Sequence, residues 1–480
     1  MRWIVAVTIV AVIAGCGGEE SGGPGPRCAL PGCESRLQLG SVNALVGFAG
    51  DGIVYATYAN APMWDLWFQS LADGSAVQIA AEIPLDAVRL DRQGGVLFIA
   101  DTWDWGGYGE WDHLRGQLHR WDANTGLDSV VLDEVRPGQY DACGDWVWAW
   151  HGQATDYINC GYISVIGLRD YRATKIAISC DSSGVQRAIF AEGCRIVASG
   201  GPDDRSLSDL VIHEPGGGTS FFMDTYEPGE GGVGSFIVDD DGSMVGIGSK
   251  ITEVVNPQEQ SLPQRGEVLA IAPGGGEVAY VAEGEEVLRL WQPGAAETEL
   301  LSSSIGGARF ASYSPDGRLL AWVEGPADGA INSLHVRDRE TGAEDVIASS
   351  INYFDENAER FWRPTPRVLA FTGEGRWLVF GVGGASRGVE LVAWDREARA
   401  SRVLSSSPEV EFAIVGAKPR AVAVGRHVAW IESGALFVGD LTRTGEPTLV
   451  AEGVRQFVAG PDRIAWTNRE GEGAAEVFAP

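Results

Sequence analysis

The chain has 480 residues, with 66 acidic and 36 basic side chains and a formal net charge of −30 at pH 7. A surface this acidic repels nucleic-acid phosphates and anionic lipid headgroups, so we expect no nucleic-acid partner. The excess of carboxylates favours solubility, and attraction of cationic partners or divalent ions is the functional alternative.

An apolar run near the N-terminus predicts export. After Met1-Arg2 the chain continues as WIVAVTIVAVIA and stops at Gly15. A transmembrane helix needs about 20 apolar residues, and this run is shorter. Its length and its single basic residue are those of a signal peptide, which we assign to residues 1–15.

The end of this run carries a cysteine in a specific context. Ile13-Ala14-Gly15-Cys16 resembles the lipobox of bacterial lipoproteins, in which the peptide is cut before a cysteine that is then lipidated. The resemblance implies lipidation of Cys16 and attachment to a membrane. An ordinary secretory signal with an incidental cysteine is the alternative. By the enterobacterial sorting rule, Gly17 after the cysteine favours the outer membrane.

The residues after Cys16 are suited to a tether. The segment GGEESGGPGP at 17–26 has no apolar residue and should stay flexible, so we assign residues 16–36 to a linker. Together these features predict a lipid-anchored protein of the bacterial cell envelope, either periplasmic or on the outer membrane and cell surface.

The remaining cysteines agree with export. Six are left when Cys16 is set aside, an even number with 15 possible connectivities. Proximity along the chain suggests three pairs: Cys28 with Cys33, Cys143 with Cys160, and Cys180 with Cys194. A metal site is the alternative, but the chain has no CxxC pair to favour it.

Residues 37–480 contain a repeated pattern of strand, turn and strand. The clearest copy is ASYSPDGRLLAWVEG at 311–325, where Pro315 presets a turn and Gly317 tolerates positive φ. A second hairpin with an Asp-rich turn follows, as in NSLHVRDRETGAEDVIASS at 332–350. Two linked hairpins at a period in the forties predict a four-stranded antiparallel propeller blade.

These residues resemble a known group. YSPDGRLLAWV and VRDRETGAEDVI are similar to the repeat of TolB-like and WD-repeat-like bacterial β-propellers. The resemblance is clearest at 311–350 and weak before residue 230. It implies an all-β fold of propeller blades and leaves the ligand open.

The repeats can be counted by the centres of their first hairpins. Ten centres are recognisable: Tyr55, Phe98, Trp148, Val197, Val245, Tyr280, Trp322, Phe380, Trp430 and Trp466. Propellers typically have 4 to 8 blades, so we expect about 8 to 10 blade-like units. A single ring, completed by the N-terminal strand SRLQLGSV, is favoured over two smaller rings divided near residues 227–235.

One insertion departs from the repeat. The segment DTWDWGGYGEWDHLRGQLHRW at 101–121 places rings and carboxylates in a Gly-rich connection, which is not the spacing of a core strand. Such rings suit stacking on sugars or capture of cationic or peptide groups. The candidate ligand-binding residues are Trp103, Asp104, Trp105, Tyr108, Trp111 and His113. The alternative is a long connection that packs on the next blade. By contrast, Trp146, Trp148 and Trp150 alternate as in a strand, which favours core packing.

Catalytic and metal motifs lack a supporting context. Residues 384–388 match GxSxG but lie between two predicted strands, whereas a nucleophile elbow joins a strand to a helix. Residues 229–234 match GxGxxG but precede a strand. Asp239-Asp240-Asp241-Gly242 is typical of a hairpin turn, because the alternating ligands and closing glutamate of a calcium loop are missing. The six histidines form no close ligand motif, so we expect no catalytic residue, metal or cofactor.

The sequence therefore predicts a lipid-anchored β-propeller that binds or scaffolds envelope proteins or glycans. The alternative is a propeller-scaffold enzyme, a glycan lyase or hydrolase that uses loop carboxylates.

Overall fold

The computed structural model describes most of the chain after the predicted tether. The described residues are 33–60, 63–91, 94–104, 114–152, 160–180, 188–199, 210–216, 220–223, 237–239, 242–247, 249–285, 287–296, 298–301, 308–324, 332–351, 369–372, 375–384, 388–406, 421–424, 426–443, 445–460, 463–468 and 471–478. In these residues the fold is all-β, made of antiparallel four-stranded units with a few short 3-10 turns. Each unit is called a blade below, and its strands are named first to fourth in chain order.

The first half of the chain forms blades 1 to 5, preceded by a strand that belongs to the last blade. That strand is β1 (Cys33–Ser41), which begins inside the predicted tether. The blades are: blade 1, β2 (Ala44–Ala49), β3 (Gly52–Asn60), β4 (Met63–Ser70), β5 (Ala76–Pro84); blade 2, β6 (Arg89–Leu90), β7 (Gly95–Asp104), β8 (Leu114–Asp122) and the start of β9 (Asp128–Cys143); blade 3, the end of β9, β10 (Trp146–His151), β11 (Cys160–Gly167), β12 (Ala173–Cys180); blade 4, β13 (Ala188–Phe190), β14 (Ile196–Ser199), β15 (Leu210–His213), β16 (Ser220–Met223); blade 5, β17 (Ile237–Val238), β18 (Met244–Ile247), β19 (Lys250–Glu253), β20 (Gln260–Ser261).

The second half forms blades 6 to 10 in the same order of strands. They are: blade 6, β21 (Gly266–Ile271), β22 (Val278–Ala282), β23 (Leu288–Trp291), β24 (Thr298–Leu300); blade 7, β25 (Ala308–Tyr313), β26 (Leu319–Glu324), β27 (Asn332–Asp338), β28 (Glu344–Ile351); blade 8, β29 (Leu369–Phe371), β30 (Trp377–Gly384), β31 (Gly388–Asp395), β32 (Ala400–Ser405); blade 9, β33 (Ala421–Val424), β34 (His427–Glu432), β35 (Ala435–Asp440), β36 (Thr448–Ala451); blade 10, β37 (Val454–Gly460), β38 (Arg463–Asn468), β39 (Glu472–Phe478) and β1.

The second strand of each blade is buried on both faces, which explains its composition. In blade 7 every residue of β26, LLAWVE, is buried. The ten centres predicted from the sequence all lie on second strands, one in each blade. Their side chains, aromatic in eight of the ten, are at most 5% exposed, so they fill the space between neighbouring blades.

The described blades form one ring and not two. Ten apolar clusters join consecutive blades, and one of them packs Leu39 and Ala465 of blade 10 against Leu45 and Tyr55 of blade 1. Another cluster joins blades 4 and 5, on the two sides of the division that two rings would require. The single ring predicted from the sequence is confirmed.

The N-terminal strand closes this ring. Strand β1 pairs antiparallel with β39, with Leu37 opposite Ala475. The fourth strand of blade 10 therefore comes from the start of the chain, as the sequence SRLQLGSV predicts. Because β1 supplies the outer strand of blade 10, it ties both ends of the fold together.

Candidate binding face

The two edges of the ring differ in the length of their connections. In each blade the first-to-second and third-to-fourth connections lie at one edge, called here the turn face. The second-to-third connections and those between blades lie at the opposite edge, the loop face. Between the strands that the structure describes, all five connections of nine or more residues lie at the loop face: 105–113, 200–209, 224–236, 352–368 and 406–420. Binding residues tend to lie on such loops of a rigid scaffold, so the loop face is the candidate binding face.

The turn face is held by repeated arginine–aspartate pairs. In blade 7, Arg318 follows the first turn and contacts Asp338 at the end of the third strand, 2.9 Å away. Arg376 and Asp395 form the same pair in blade 8, at 3.1 Å. Each aspartate also accepts backbone N–H groups of the following turn. These ion pairs therefore connect the first and second turns of a blade and stabilise the fold.

The predicted tryptophan insertion emerges at the loop face of blade 2. Trp103 and Asp104 end β7, where they lie opposite Arg115 and Leu114 of β8. The other four candidates, Trp105, Tyr108, Trp111 and His113, lie outside the described residues. The structure thus fixes the two ends of the insertion, and its role in binding stays a prediction.

Two buried arginines lie beside the roots of this insertion, on one tryptophan ring. The guanidinium carbons of Arg115 and Arg136 are 5.5 Å and 4.9 Å from the ring centre of Trp150. The three residues are exposed by 6%, 9% and 2%, and we call them the Arg–Trp cluster. Cation–π contacts of desolvated arginines are worth about 2 kcal/mol or more, so these contacts stabilise the packing of both guanidinium groups on the Trp150 ring.

A strand shared by two blades brings this cluster together. Val135 of β9 lies opposite Gly116 of blade 2 and also opposite His151 of blade 3, so β9 crosses from one blade to the next. Arg136 follows that crossing directly. Gly161 of β11 is required as well, because a Cβ there would lie 2.4 Å from Nε1 of Trp150. No motif in the sequence marks these two arginines as neighbours.

A histidine–serine pair lies next to the cluster on β10 and β11. Nε2 of His151 is 2.8 Å from Oγ of Ser164. Burial, with a smaller effect of the Lys175 charge, lowers the pKa of His151 to about 4. Ser164 is fully buried, so its hydroxyl is closed to a substrate and the pair supports the scaffold. Trp148 and Trp150 are buried in the same region, which confirms their predicted core role.

The disulfide of this region differs from the expected pairs. Cys143, at the end of β9, is bonded to Cys194 of blade 4, so the pairs of Cys143 with Cys160 and of Cys180 with Cys194 are wrong. The bond joins the first turns of two consecutive blades, at the turn face. Cys160 and Cys180 lie opposite each other on β11 and β12. Cys16 and Cys28 lie outside the described residues, and Cys33 begins β1.

The motifs set aside in the sequence lie in turns and between strands. Gly384 ends β30 and Gly388 begins β31, so the GxSxG match joins two strands and is no nucleophile elbow. Asp239 accepts the N–H of Met244 at 2.9 Å, as expected of a hairpin turn. The GxGxxG match lies outside the described residues. Across the described ranges, no group of three or more His, Cys, Asp or Glu side chains is placed to hold a metal ion.

No helix in the described part of the chain has the length and hydropathy needed to cross a membrane.

Comparison with known proteins gives solved structures and no sequence relative. No protein-family model and no curated protein matches the chain. BamB from Moraxella catarrhalis is similar at 11% identity and a TM-score of 0.37, over 93% of this chain and 99% of that one. The periplasmic gluconolactonase PpgL of Pseudomonas aeruginosa is similar at 14% identity and a TM-score of 0.32, over 78% of this chain and 96% of its own.

Two larger proteins are also similar to the chain. Porphyromonas gingivalis dipeptidyl peptidase 4 is 11% identical with a TM-score of 0.38, over 92% of this chain. This chain spans 56% of that peptidase and 57% of the tricorn protease, which is 11% identical with a TM-score of 0.32 over 91% of this chain. All these TM-scores are below 0.5, and the propeller fold described above rests on the sheets of the chain itself.

Proposed function

We propose that the chain is an exported, lipid-anchored β-propeller that binds a ligand or protein of the bacterial cell envelope through its loop face. The observation that carries this proposal is the asymmetry of the ring. The long connections lie at one face, while short turns held by arginine–aspartate pairs occupy the other. A rigid ring that carries its long connections on one face is suited to recognition.

The tryptophan insertion of blade 2 is the proposed contact region. Its rings and carboxylates suit a sugar ring, a peptide or a cationic group. The Arg–Trp cluster beside its roots gives it a rigid base, because three buried side chains there pack on one another across two blades. A stable base suits a binding site, because groups that are already fixed lose less conformational entropy on binding.

The membrane attachment is proposed through Cys16. Ile13-Ala14-Gly15-Cys16 resembles a lipobox, and the segment that follows is suited to a spacer between lipid and propeller. Replacing Cys16 with serine should release the protein from the membrane fraction while export continues. Unchanged membrane association of this variant would contradict the anchor and leave the binding proposal standing.

The binding proposal is tested with the folded domain, residues 33–480, against envelope polysaccharides and envelope proteins. We expect binding without turnover, and we expect joint alanine replacement of Trp103, Trp105 and Trp111 to weaken it at least tenfold. The matched control replaces Asn124 and Leu127, exposed residues of the same blade at the turn face, and should bind normally. Equal loss in both variants, or no loss in either, would contradict the assignment of the site. Turnover of a polysaccharide would identify an enzyme.

A further inference from the structure

Two cysteines of blade 3 lie at one register position. Cys160 is the first residue of β11 and Cys180 the last residue of β12, and they are direct partners in this antiparallel pair. Directly opposed residues share a face of the sheet, with Cα atoms about 4.5–5.5 Å apart. A disulfide requires Cα atoms about 4.4–6.8 Å apart, so the backbone alone meets the main geometric condition.

The pairing of the other cysteines leaves Cys160 and Cys180 available to each other. Cys143 is bonded to Cys194, which removes both partners that proximity along the chain had suggested for Cys160 and Cys180. Of the six cysteines after Cys16, four then remain, and Cys28 and Cys33 are five positions apart in the sequence. Because the fold already contains one disulfide, oxidation of a second well-placed pair is expected in the same compartment.

The position of the pair gives the bond a role at the loop face. Residues 153–159 end at Cys160, and residues 181–187 begin at Cys180. Both connections belong to the loop face, one within blade 3 and one between blades 3 and 4. A bond between Cys160 and Cys180 would therefore tie the roots of two loop-face connections together, at the end of the sheet where β10 carries Trp150 and His151.

We propose that Cys160 and Cys180 form a second disulfide. The bond fixes the end of the connection 153–159 and the start of the connection 181–187 relative to each other, beside the Arg–Trp cluster. The two thiols lose two protons and two electrons as the S–S bond forms. The electrons pass to the disulfide of an oxidising thiol–disulfide oxidoreductase, which becomes a dithiol by exchange. This bond and the one between Cys143 and Cys194 then secure blade 3 at both faces. The inference stands independently of the proposed function.

The test maps disulfides in the unmodified protein. The chain is purified from an oxidising compartment, alkylated at low pH without reductant to prevent exchange, and digested with trypsin and chymotrypsin. Both enzymes are needed, because no tryptic site separates Cys143 from Cys160, whereas chymotrypsin cuts after Trp146, Trp148 and Trp150. We expect one linked peptide pair that joins Cys160 to Cys180. Alkylated thiols at these positions, or a link of either cysteine elsewhere, would overturn the proposal.

A second measurement tests the role of the bond. The variant Cys160→Ser with Cys180→Ser removes the proposed bond and leaves no odd thiol, and Cys28→Ser with Cys33→Ser is the matched control. Circular dichroism first establishes that both variants are folded. Limited proteolysis should then cut the Cys160/Cys180 variant within 153–159 or 181–187 at least fivefold faster than the native chain. The control should be cut at the native rate. Equal cleavage of the two variants at these segments would refute a role at the loop face.

Discussion

Arg396 of blade 8 binds Asp316 of blade 7, with 2.5 Å between Nη1 and Oδ2. Asp316 belongs to the turn Ser314-Pro315-Asp316-Gly317, the motif that best marks the repeat. Gly375 of blade 8, at φ 66°, packs on the same turn, since a Cβ there would lie 2.6 Å from Oδ1 of Asp316. The turn that defines one blade thus also holds the next.

Removal of this contact should weaken the seam between blades 7 and 8. An ion pair with partly exposed partners contributes up to about 1 kcal/mol, so Arg396→Ala should lower the free energy of unfolding by roughly that amount. Urea denaturation followed by tryptophan fluorescence measures the change. Arg169→Ala is the control, because the Arg169 side chain is 85% exposed while that of Arg396 is 19% exposed. Equal losses of unfolding free energy in the two variants would contradict a stabilising role of the contact between Arg396 and Asp316.

The pairs of the turn face predict a loss of stability in acid. Burial opposes ionisation of Asp338, but hydrogen bonds from Arg318 and from the backbone of Thr341 and Glu340 outweigh it and lower the pKa of its carboxyl. A lowered pKa in the folded state gives stability that is complete above the unfolded pKa, about 3.9, and is lost as the pH falls through the folded pKa. Asp338→Asn should reduce stability at pH 7 and flatten this acid loss.

The control for that titration is Glu340→Gln, at an exposed carboxylate that also contacts Arg318. Its acid limb in urea denaturation from pH 2 to 7 should follow that of the native protein. An Asp338→Asn variant with the native pH profile would show that the pair contributes nothing to the scaffold.

His151 should remain neutral through the mildly acidic range. Its pKa of about 4 lies below the usual 6.5, chiefly because of burial, with a smaller effect of Lys175. Above about pH 6.5 His151 is neutral in both the folded and the unfolded chain and does not oppose folding; as the pH falls from 6.5 towards 4 the unfolded chain binds the proton first, so stability declines. The imidazole proton resonance that His151→Gln removes should not titrate between pH 7.5 and about 5. Titration of that resonance near pH 6.5 would contradict the buried environment.

The disulfide between blades 3 and 4 should stabilise the ring substantially. Cys143 and Cys194 are 51 residues apart, and a bond closing a loop of this length is worth about 4 kcal/mol in the chain-entropy model. Thermal and urea denaturation of the double serine variant should show a loss of that order. The control variant Cys28→Ser with Cys33→Ser should cost clearly less, because a bond between these two cysteines would close a much shorter loop. A smaller loss in the Cys143/Cys194 variant than in this control would contradict the bond between blades.

The sequence pattern was sufficient for the blades and insufficient for contacts between them. Centres such as Trp322 and Trp430 could be placed because a second strand buried on both faces requires apolar and aromatic residues. Proximity along the chain predicts the wrong partners for Cys143 and Cys194, because it ignores contacts between consecutive blades. Cys143 and Cys194 lie about one blade apart, and in a propeller residues one repeat apart are neighbours in space.

Only part of the candidate site could be predicted from the sequence. The aromatic insertion departs from the repeat, and this departure alone marks it in the sequence. Arg115 and Arg136 meet on Trp150 because β9 passes from blade 2 to blade 3 without a loop. That crossing depends on the backbone path and on Gly161, so residue spacing could not indicate it.

The loop face exists as one surface only if the blades form a single closed ring, since only one ring places every long connection on a common face. A cysteine pair at Leu37 and Ala475, which are opposite each other in β1 and β39, tests the closure directly. We expect Leu37→Cys with Ala475→Cys to form a disulfide, detected by non-reducing peptide mapping, and Gln38→Cys with Ala475→Cys, one residue out of register, to form none. Free thiols in the first variant, or equal cross-linking of both, would contradict the ring.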